Sequence, residues 1–283
     1  MDLGNDFVTR LGLEKPHDLE KVRGGDINEA FSIYSNNQRY FLKIQQNAQA
    51  SFFDHEVAGL KALGEEVTVP AVLAQGQLQG HAYLVLSWIN QGNGSQQELA
   101  KSLVKMHQAT APKFGFDSDN LVDLVPKNNT WQSSWAEFFV KQRLDPLMAQ
   151  AQKNNFWLTQ RGDHYSNLRE TILNDNHAQT VQPSLLHGDF WAGNFMFNDQ
   201  GKPVFIDPNV FYGDREYDLA ISRVFAGFSP SFYNQYMQEW PLDDGWQKRE
   251  KWYEFYYILM HFTRFGDIYA PRMNKLLTSF KIT

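Results

Sequence analysis

The sequence predicts an α+β protein in two parts, a small N-terminal lobe built on an antiparallel sheet and a larger, mainly helical C-terminal lobe. Three observations carry this expectation. Short apolar runs broken by polar turns fill the first ninety residues, the pattern of strands. Beyond residue 95 the apolar positions recur mostly at helical spacing. Between them lies Asn90-Gln-Gly-Asn-Gly94, a polar, glycine-containing stretch that reads as a linker. The expected division is residues 1–89, a hinge at 90–94, and residues 95–283.

In chain order, Gly24-Gly25-Asp26 offers a backbone free to turn and to approach a ligand closely. Residues 31–34 and 40–44 then flank Ser35-Asn-Asn-Gln38, a hairpin signal. Phe53, Val57 and Leu60 follow at helical spacing, with Gly64 where the helix should end. Residues 71–74 and 82–86 give a second strand pair. Ser95-Gln-Gln-Glu98 matches a capping box and opens a helix carrying Leu99, Leu103 and Met106. A helix is expected over 133–148, burying Trp135, Phe138, Phe139 and Leu147, with Pro146 kinking or ending it. A third, dense in aromatics, is expected over 245–264. The helical part is interrupted between Leu185 and Asp207, and no internal repeat or low-complexity tract is evident.

Composition narrows the function. The 26 basic and 32 acidic residues give a net charge of −6, which argues against a nucleic-acid partner. With 42% hydrophobic and 15% aromatic residues, the chain can fill a core, so disorder is excluded. Zero cysteines exclude disulfides, thiolate metal sites and a thiol nucleophile. The longest apolar run, Phe255-Tyr-Tyr-Ile-Leu-Met260, falls far short of the ~20 residues that span a bilayer. Met1-Asp-Leu-Gly-Asn-Asp lacks a signal peptide's positive n-region and apolar core. A cytoplasmic protein without membrane contact is expected.

The interruption carries the chemistry. It reads Leu185-Leu-His-Gly-Asp-Phe-Trp-Ala-Gly-Asn194, then Phe195-Met-Phe197, a polar turn, Val204-Phe-Ile206 and Asp207-Pro208. Two apolar triplets around a turn form a hairpin, and a hairpin brings its ends together. Asn194 and Asp207 are therefore expected side by side, with Asp189 on the loop before them. Two of the three can hold Mg²⁺, a hard cation that takes oxygen ligands, and the third can accept a hydroxyl proton. H-x-D-x-x-x-x-N followed by a strand pair and Asp is the catalytic arrangement of kinases. Lys43, in Phe41-Leu-Lys-Ile44, has the strand setting of the kinase lysine that pairs with nucleotide phosphates. Glu56, thirteen residues on, is placed to orient it. Gly24 and Gly25 occupy the place of the phosphate loop, without its full glycine pattern. Ser87-Trp88-Ile89 ends a strand where a kinase hinge offers backbone groups to adenine.

These residues resemble the ketosamine/fructosamine 3-kinases, within the protein-kinase-like, aminoglycoside-phosphotransferase-related superfamily. The likeness runs through Gly24-Gly-Asp-Ile-Asn-Glu-Ala30, Phe52-Phe-Asp-His-Glu56, Trp135-Ala-Glu-Phe-Phe139 and Leu186-His-Gly-Asp-Phe-Trp-Ala-Gly-Asn194. It continues through Ile206-Asp-Pro208, Tyr212-Gly-Asp-Arg-Glu-Tyr-Asp-Leu-Ala220 and Trp240-Pro-Leu-Asp243. The resemblance implies a bilobal kinase-like fold and ATP- and Mg²⁺-dependent phosphorylation of a ketosamine at O3, a deglycation step, on a small-molecule or protein-bound substrate. It makes Asp189 the catalytic acceptor of the hydroxyl proton, with Lys43 and a metal at Asn194 and Asp207 offsetting phosphate charge. His187 is expected to brace the loop, and Asp218 to cap a helix or anchor the loop. Asp214 and Glu216 are candidates for holding a cationic substrate amine. Two alternatives remain: a kinase of the aminoglycoside or choline type, and a non-catalytic nucleotide-binding pseudokinase. The preferred sugar and the oligomeric state are left open.

Overall fold

The computed structural model describes residues 5–22, 28–121, 125–153 and 159–280. The chain divides into two compact units, one of 1–94 with 196–207, the other of 95–195 with 208–283. This departs from the simple division expected at the linker, because the hairpin of the interruption goes with the N-terminal unit.

The first unit opens with α1 (Asn5–Thr9) and a five-stranded sheet of β1 (His17–Lys21), β2 (Glu29–Ser35), β3 (Gln38–Gln45), β4 (Val72–Leu78) and β5 (His81–Ser87). Their spatial order is β1-β2-β3-β5-β4, and every neighbouring pair is antiparallel. The β2–β3 turn places Asn36 and Asn37 both at positive φ (48° and 61°), the conformation a tight two-residue hairpin needs and that asparagine tolerates. Alternation along the strands sends Leu42, Ile44 and Val85 to one face, against Phe7 and Val8 of α1. Ala82, Leu84 and Leu86 go to the other, against Phe53 and Leu60, the latter on α2 (Asp54–Gly64). A small sheet of β6 (Gln91–Gly92), β8 (Phe195–Asn198) and β9 (Pro203–Phe205) completes this unit, in the order β6-β8-β9.

The second unit is helical. It holds α3 (Gln96–His107), α4 (Trp135–Phe139), α5 (Asp145–Lys153), α6 (Thr159–Leu173), α7 (Asn176–Thr180), α8 (Glu216–Val224), α9 (Pro230–Glu239), α10 (Trp246–Phe265) and α11 (Ala270–Ser279). The two-stranded ribbon of β7 (Ser184–Leu186) and β10 (Phe211–Gly213) lies among them. The Ser95 hydroxyl accepts from the Gln97 and Glu98 N–H groups and starts α3 as expected. Aromatic side chains fill the core: Trp135, Phe138, Phe139, Tyr217, Tyr253 and Tyr256 are essentially inaccessible. No helix among the described residues is long and apolar enough to cross a membrane.

Pro146 neither ends the 133–148 helix nor leaves it regular. Between α4 and α5 the chain forms a π turn, Val140–Leu144. Proline lacks the N–H that would bond the Gln142 carbonyl four residues earlier. That freed carbonyl accepts instead from Arg143 Nη1 at 3.1 Å.

Candidate active site

Each unit assembles its own set of reactive side chains. In the first, alternation between the buried Leu42 and Ile44 sends Lys43 to the α2 face of the sheet, opposite Leu84 in register. Glu56 is three residues after Phe53 and four before Leu60, so it shares the helix face that packs on that sheet. Lys43 Nζ donates to both Glu56 oxygens (2.8 and 3.0 Å) and to Asp207 Oδ1 at 2.9 Å. Burial pushes the ammonium toward neutrality, but the Glu56 and Asp207 carboxylates outweigh it and hold the Lys43 pKa above its ordinary value. Burial raises Glu56, with Lys43 opposing. Asp207, two residues past the end of β9, has φ 52°. That left-handed backbone is uncommon for a non-glycine residue, though aspartate tolerates it better than most.

In the second unit the loop after β7 turns at Gly188, whose φ is 77°. A Cβ there would fall 1.8 Å from the Asn209 carbonyl oxygen, so glycine is required. Asp218, fully buried on α8, fixes the loop's backbone: its Oδ2 accepts from His187 N at 2.7 Å and its Oδ1 from Gly188 N at 3.0 Å. Of the two roles expected for Asp218 the geometry is that of the anchor. His107 Nε2 donates to the same carboxylate at 3.2 Å, and its Nδ1 accepts from the Tyr236 hydroxyl at 2.9 Å. Burial keeps the His107 ring below its ordinary pKa, in keeping with this neutral form. The His187 ring Nδ1 accepts from Asp189 N at 3.3 Å, bracing the turn.

Asp189 is half-buried. Its Oδ2 accepts from Asn194 Nδ2 at 2.9 Å, and its Oδ1 accepts from the Tyr257 hydroxyl of α10 at 2.8 Å. Both direct donors are neutral. Burial raises the Asp189 pKa, and the Lys127 charge with these two hydrogen bonds only partly offsets it. The result is a carboxylate more basic than usual with a lone pair left on each oxygen.

Each of the two expected metal ligands keeps an oxygen acceptor within its own unit. Asn194 gives its amide N–H groups to Asp189, to the backbone O at 2.8 Å and to Oδ2, which leaves its Oδ1 as an acceptor. Asp207 uses Oδ1 for Lys43 and keeps Oδ2. A carboxylate and an amide oxygen suit Mg²⁺.

Other expected site residues stand elsewhere. Gly24 and Gly25 lie outside the described residues. The Ser87 hydroxyl accepts from Ala71 N at 2.8 Å, and the Ser87 N–H donates to the Ala71 carbonyl. Trp88 carries the Arg39 guanidinium 3.8 Å over its ring and lies near Phe41, while Ile89 is half-buried. Asp214 and Glu216 need correction. Both are buried and committed to internal partners, so they are closed to a substrate amine. Asp214 Oδ2 accepts from His177 Nε2 (2.9 Å) and Tyr253 (2.7 Å). Glu216 takes a two-pronged contact from Arg249 at 2.6 and 2.8 Å. Arg215 donates to the Trp240 and Pro241 carbonyls and stacks on Trp240 at 3.9 Å. The strings around 214 and 240 are thus two sides of one buried network.

Sequence reasoning missed Tyr257, His107, Tyr236, His177 and Arg249. Tyr257 sits inside the longest apolar run, where a tyrosine reads as packing. A hydroxyl among residues otherwise buried to the core was the available signal, since a buried hydroxyl demands a partner.

Comparison with known proteins gives the chain its relatives. A model of the fructosamine kinase family matches residues 7–282. A protein of Lactiplantibacillus plantarum named "Probable ketoamine kinase" is 43% identical, covering 99% of this chain and all of the relative. The chloroplastic protein-ribulosamine 3-kinase of Arabidopsis thaliana is 34% identical over 96% of this chain and 83% of its own. A crystal structure assigned as a fructosamine-3-kinase, from Haemophilus somnus, superposes with a TM-score of 0.85 at 28% identity, covering 95% of this chain and 92% of that one.

Proposed function

The chain belongs to the fructosamine kinase family and is an ATP-dependent phosphotransferase, and from that premise we propose that it phosphorylates the 3-hydroxyl of a ketosamine of the ribulosamine, erythrulosamine or fructosamine type. A 3-phosphate is a good leaving group once the neighbouring carbonyl carbon enolises, so the step leads to release of the amine and serves deglycation. The observation that carries the reading is Asp189, a carboxylate raised by burial and held by two neutral donors. Such a group orients a sugar hydroxyl and takes its proton as the bond to phosphorus forms.

Lys43 supplies the cation for the nucleotide phosphates, and Glu56 keeps its ammonium charged and aimed. Asn194 and Asp207 are the proposed Mg²⁺ ligands. Bound there, the ion would neutralise phosphate charge as it develops. Asp218 and His187 hold the loop so that Asp189 does not turn away. The remaining hinge and phosphate-loop assignments, Ser87, Trp88, Ile89, Gly24 and Gly25, stand as nucleotide-contacting proposals, through backbone groups where side chains are already committed. We also propose a cytoplasmic location without membrane or nucleic-acid partners, a reading supported by the acidic composition and the short apolar runs.

The test is a turnover comparison of ribulosyl, erythrulosyl and fructosyl amines with Mg·ATP, followed as ADP release, beside kanamycin and choline. Turnover of a ketosamine is expected, with Asp189→Asn losing about 10²–10⁴-fold in kcat while still binding ATP. Turnover of kanamycin or choline and of no ketosamine would overturn the reading.

A further inference from the structure

The strings Tyr212-Gly-Asp-Arg-Glu-Tyr-Asp-Leu-Ala220 and Trp240-Pro-Leu-Asp243 bring more to the reactive loop than Asp218 alone. Asp218 grips that loop by the His187 and Gly188 N–H groups, and His107 Nε2 is its third donor. Behind His107 the contacts continue. The Tyr236 hydroxyl of α9 lies 2.9 Å from His107 Nδ1, and Arg215 Nη1 lies 3.3 Å from the Tyr236 oxygen. Arg215 is held in turn by the Trp240 and Pro241 carbonyls and by the face of the Trp240 ring. Arg215, Tyr236, His107 and Asp218 are all buried.

This run has one direction. A guanidinium only donates, so Arg215 occupies a lone pair of the Tyr236 oxygen. A carboxylate that already accepts two N–H groups takes a third, so His107 Nε2 carries the proton at that contact. The neutral ring is then bare at Nδ1, and the Tyr236 proton meets it there. Each group donates to the next, from Arg215 through Tyr236 and His107 to Asp218.

The charged and titratable groups that bear on the His107 ring are Asp218 on α8, Arg215 and Asp214 just before that helix, and Tyr236 on α9. Burial lowers the His107 pKa; the Asp218 and Asp214 charges oppose this, and the Arg215 charge adds to it. A neutral ring leaves the Asp218 carboxylate its full charge for the two loop N–H groups. A protonated ring would share that charge and loosen the anchor, and it would set a second cation beside Arg215.

We propose that Tyr236 and Arg215 are positioning residues for the reaction: they hold His107 as the neutral Nε2–H tautomer, so that Asp218 keeps the loop, and Asp189 on it, in the geometry that takes the hydroxyl proton. The inference rests on the reading of Asp189 given above. Positioning at this remove has leverage, because a shift of about 1 Å in a reacting group can cost on the order of 10²-fold in rate. The effect falls on kcat rather than KM.

Tyr236→Phe removes the hydroxyl and keeps the ring that packs edge-on against His107. Its kcat with the preferred ketosamine should fall about fivefold, part of the worth of one hydrogen bond because it acts through His107. KM for ATP and for the sugar-amine should stay where they are. Without a donor to Nδ1 the neutral ring loses its advantage and its pKa rises toward the ordinary value of about 6.5. A further loss of kcat should therefore appear as pH falls through that value. Adding His107→Gln removes the titrating ring, keeps an N–H for Asp218 and should abolish that acid-side loss. A phenol with a packing role alone would lower Tm and leave the shape of the kcat profile unaltered. Should Tyr236→Phe not fold, the same comparison is made at His107 in the otherwise unaltered chain, where His107→Leu should lose about tenfold in kcat and His107→Gln should recover most of it. An unaltered kcat profile in Tyr236→Phe, an acid-side loss that persists after His107→Gln, or equal losses in His107→Leu and His107→Gln would overturn the relay. Absence of ketosamine turnover by the unaltered protein would overturn the ketosamine reading itself, and the relay with it.

Discussion

The two reactive sets solve opposite electrostatic problems. In the first unit a buried ammonium lies between two carboxylates, Glu56 and Asp207, and every short contact is an ion pair. In the second, the carboxylate of Asp189 is held by an amide and a phenol, and its backbone neighbours are fixed by Asp218. A site that must attract an anion gains from a cation kept charged by surplus acid. A site that must accept a proton would be weakened by a cation in direct contact, because that contact would lower its pKa. Charge pairing therefore suits the proposed nucleotide side and neutral bracing suits the proposed base.

After Asp189→Asn, the largest effect should come from breaking the ion-paired set. Lys43→Met leaves Glu56 and Asp207 without the ammonium that offsets them, and it removes the cation proposed for the phosphates. A fall of about 10²–10³-fold in kcat is expected, the range seen when one preorganised electrostatic donor is removed. Steady-state kinetics at saturating ATP measures it. Lys43→Arg should recover little, since a planar fork does not replace a point charge in this three-way contact. If Lys43→Met kept full kcat, the contrast between the two sets would collapse.

Neutral bracing is tested by Tyr257→Phe, which deletes one hydroxyl and leaves the ring packing of α10. A loss of about tenfold in kcat is expected, on the scale of one hydrogen bond to a charged group. The pH profile supplies the sharper readout. The Tyr257 hydrogen bond lowers the Asp189 pKa, so its removal raises that value further. The acid limb of kcat/KM should move to higher pH. A purely structural tyrosine would lower the rate without moving the limb.

Much of this contrast was legible in the sequence, and the physical reasons mark where legibility stopped. Lys43 and Glu56 were readable because strand alternation and helix periodicity each dictate a face, and the two faces meet. Asp189 and Asn194 were readable because both sit on one short loop. The division into units was read less completely: the linker was visible, but the return of 196–207 to the first unit depends on long-range pairing. Phe205 N donates to the Thr68 carbonyl, and β8 pairs with β6; local pattern carries no record of either. Asp214 and Glu216 were misread for a related reason. Acidic residues on a loop look solvated until His177 and Arg249, thirty-odd residues away on either side, arrive to bury them. The π turn at Val140–Leu144 could have been suspected from Pro146, although its consequence for Gln142 and Arg143 could not.

The smallest expected effect concerns that buried network, which shows where the second unit keeps its own charge. His177 contacts carboxylates through both ring nitrogens, Asp214 at 2.9 Å and Asp243 at 3.0 Å, so both nitrogens must donate and the ring is an imidazolium. Burial opposes that charge, but the Asp214 contact outweighs it and raises the His177 pKa. Burial and the charge of Asp214 push Glu216 up to about 7. Groups with raised pKa values bind protons more tightly when folded. Their stabilisation is complete below the unfolded-state pKa and is lost as pH rises through the folded-state value. The difference in Tm between the unaltered protein and His177→Gln should therefore be larger at pH 6 than at pH 8, by a few degrees, the scale of about 1 kcal/mol in a chain of this size. Thermal unfolding at the two pH values measures it. KM for the sugar-amine should not move, since the network is architectural. A raised KM would return Asp214 and Glu216 to the substrate and place a charged group where the comparison of the two sets leaves only neutral ones.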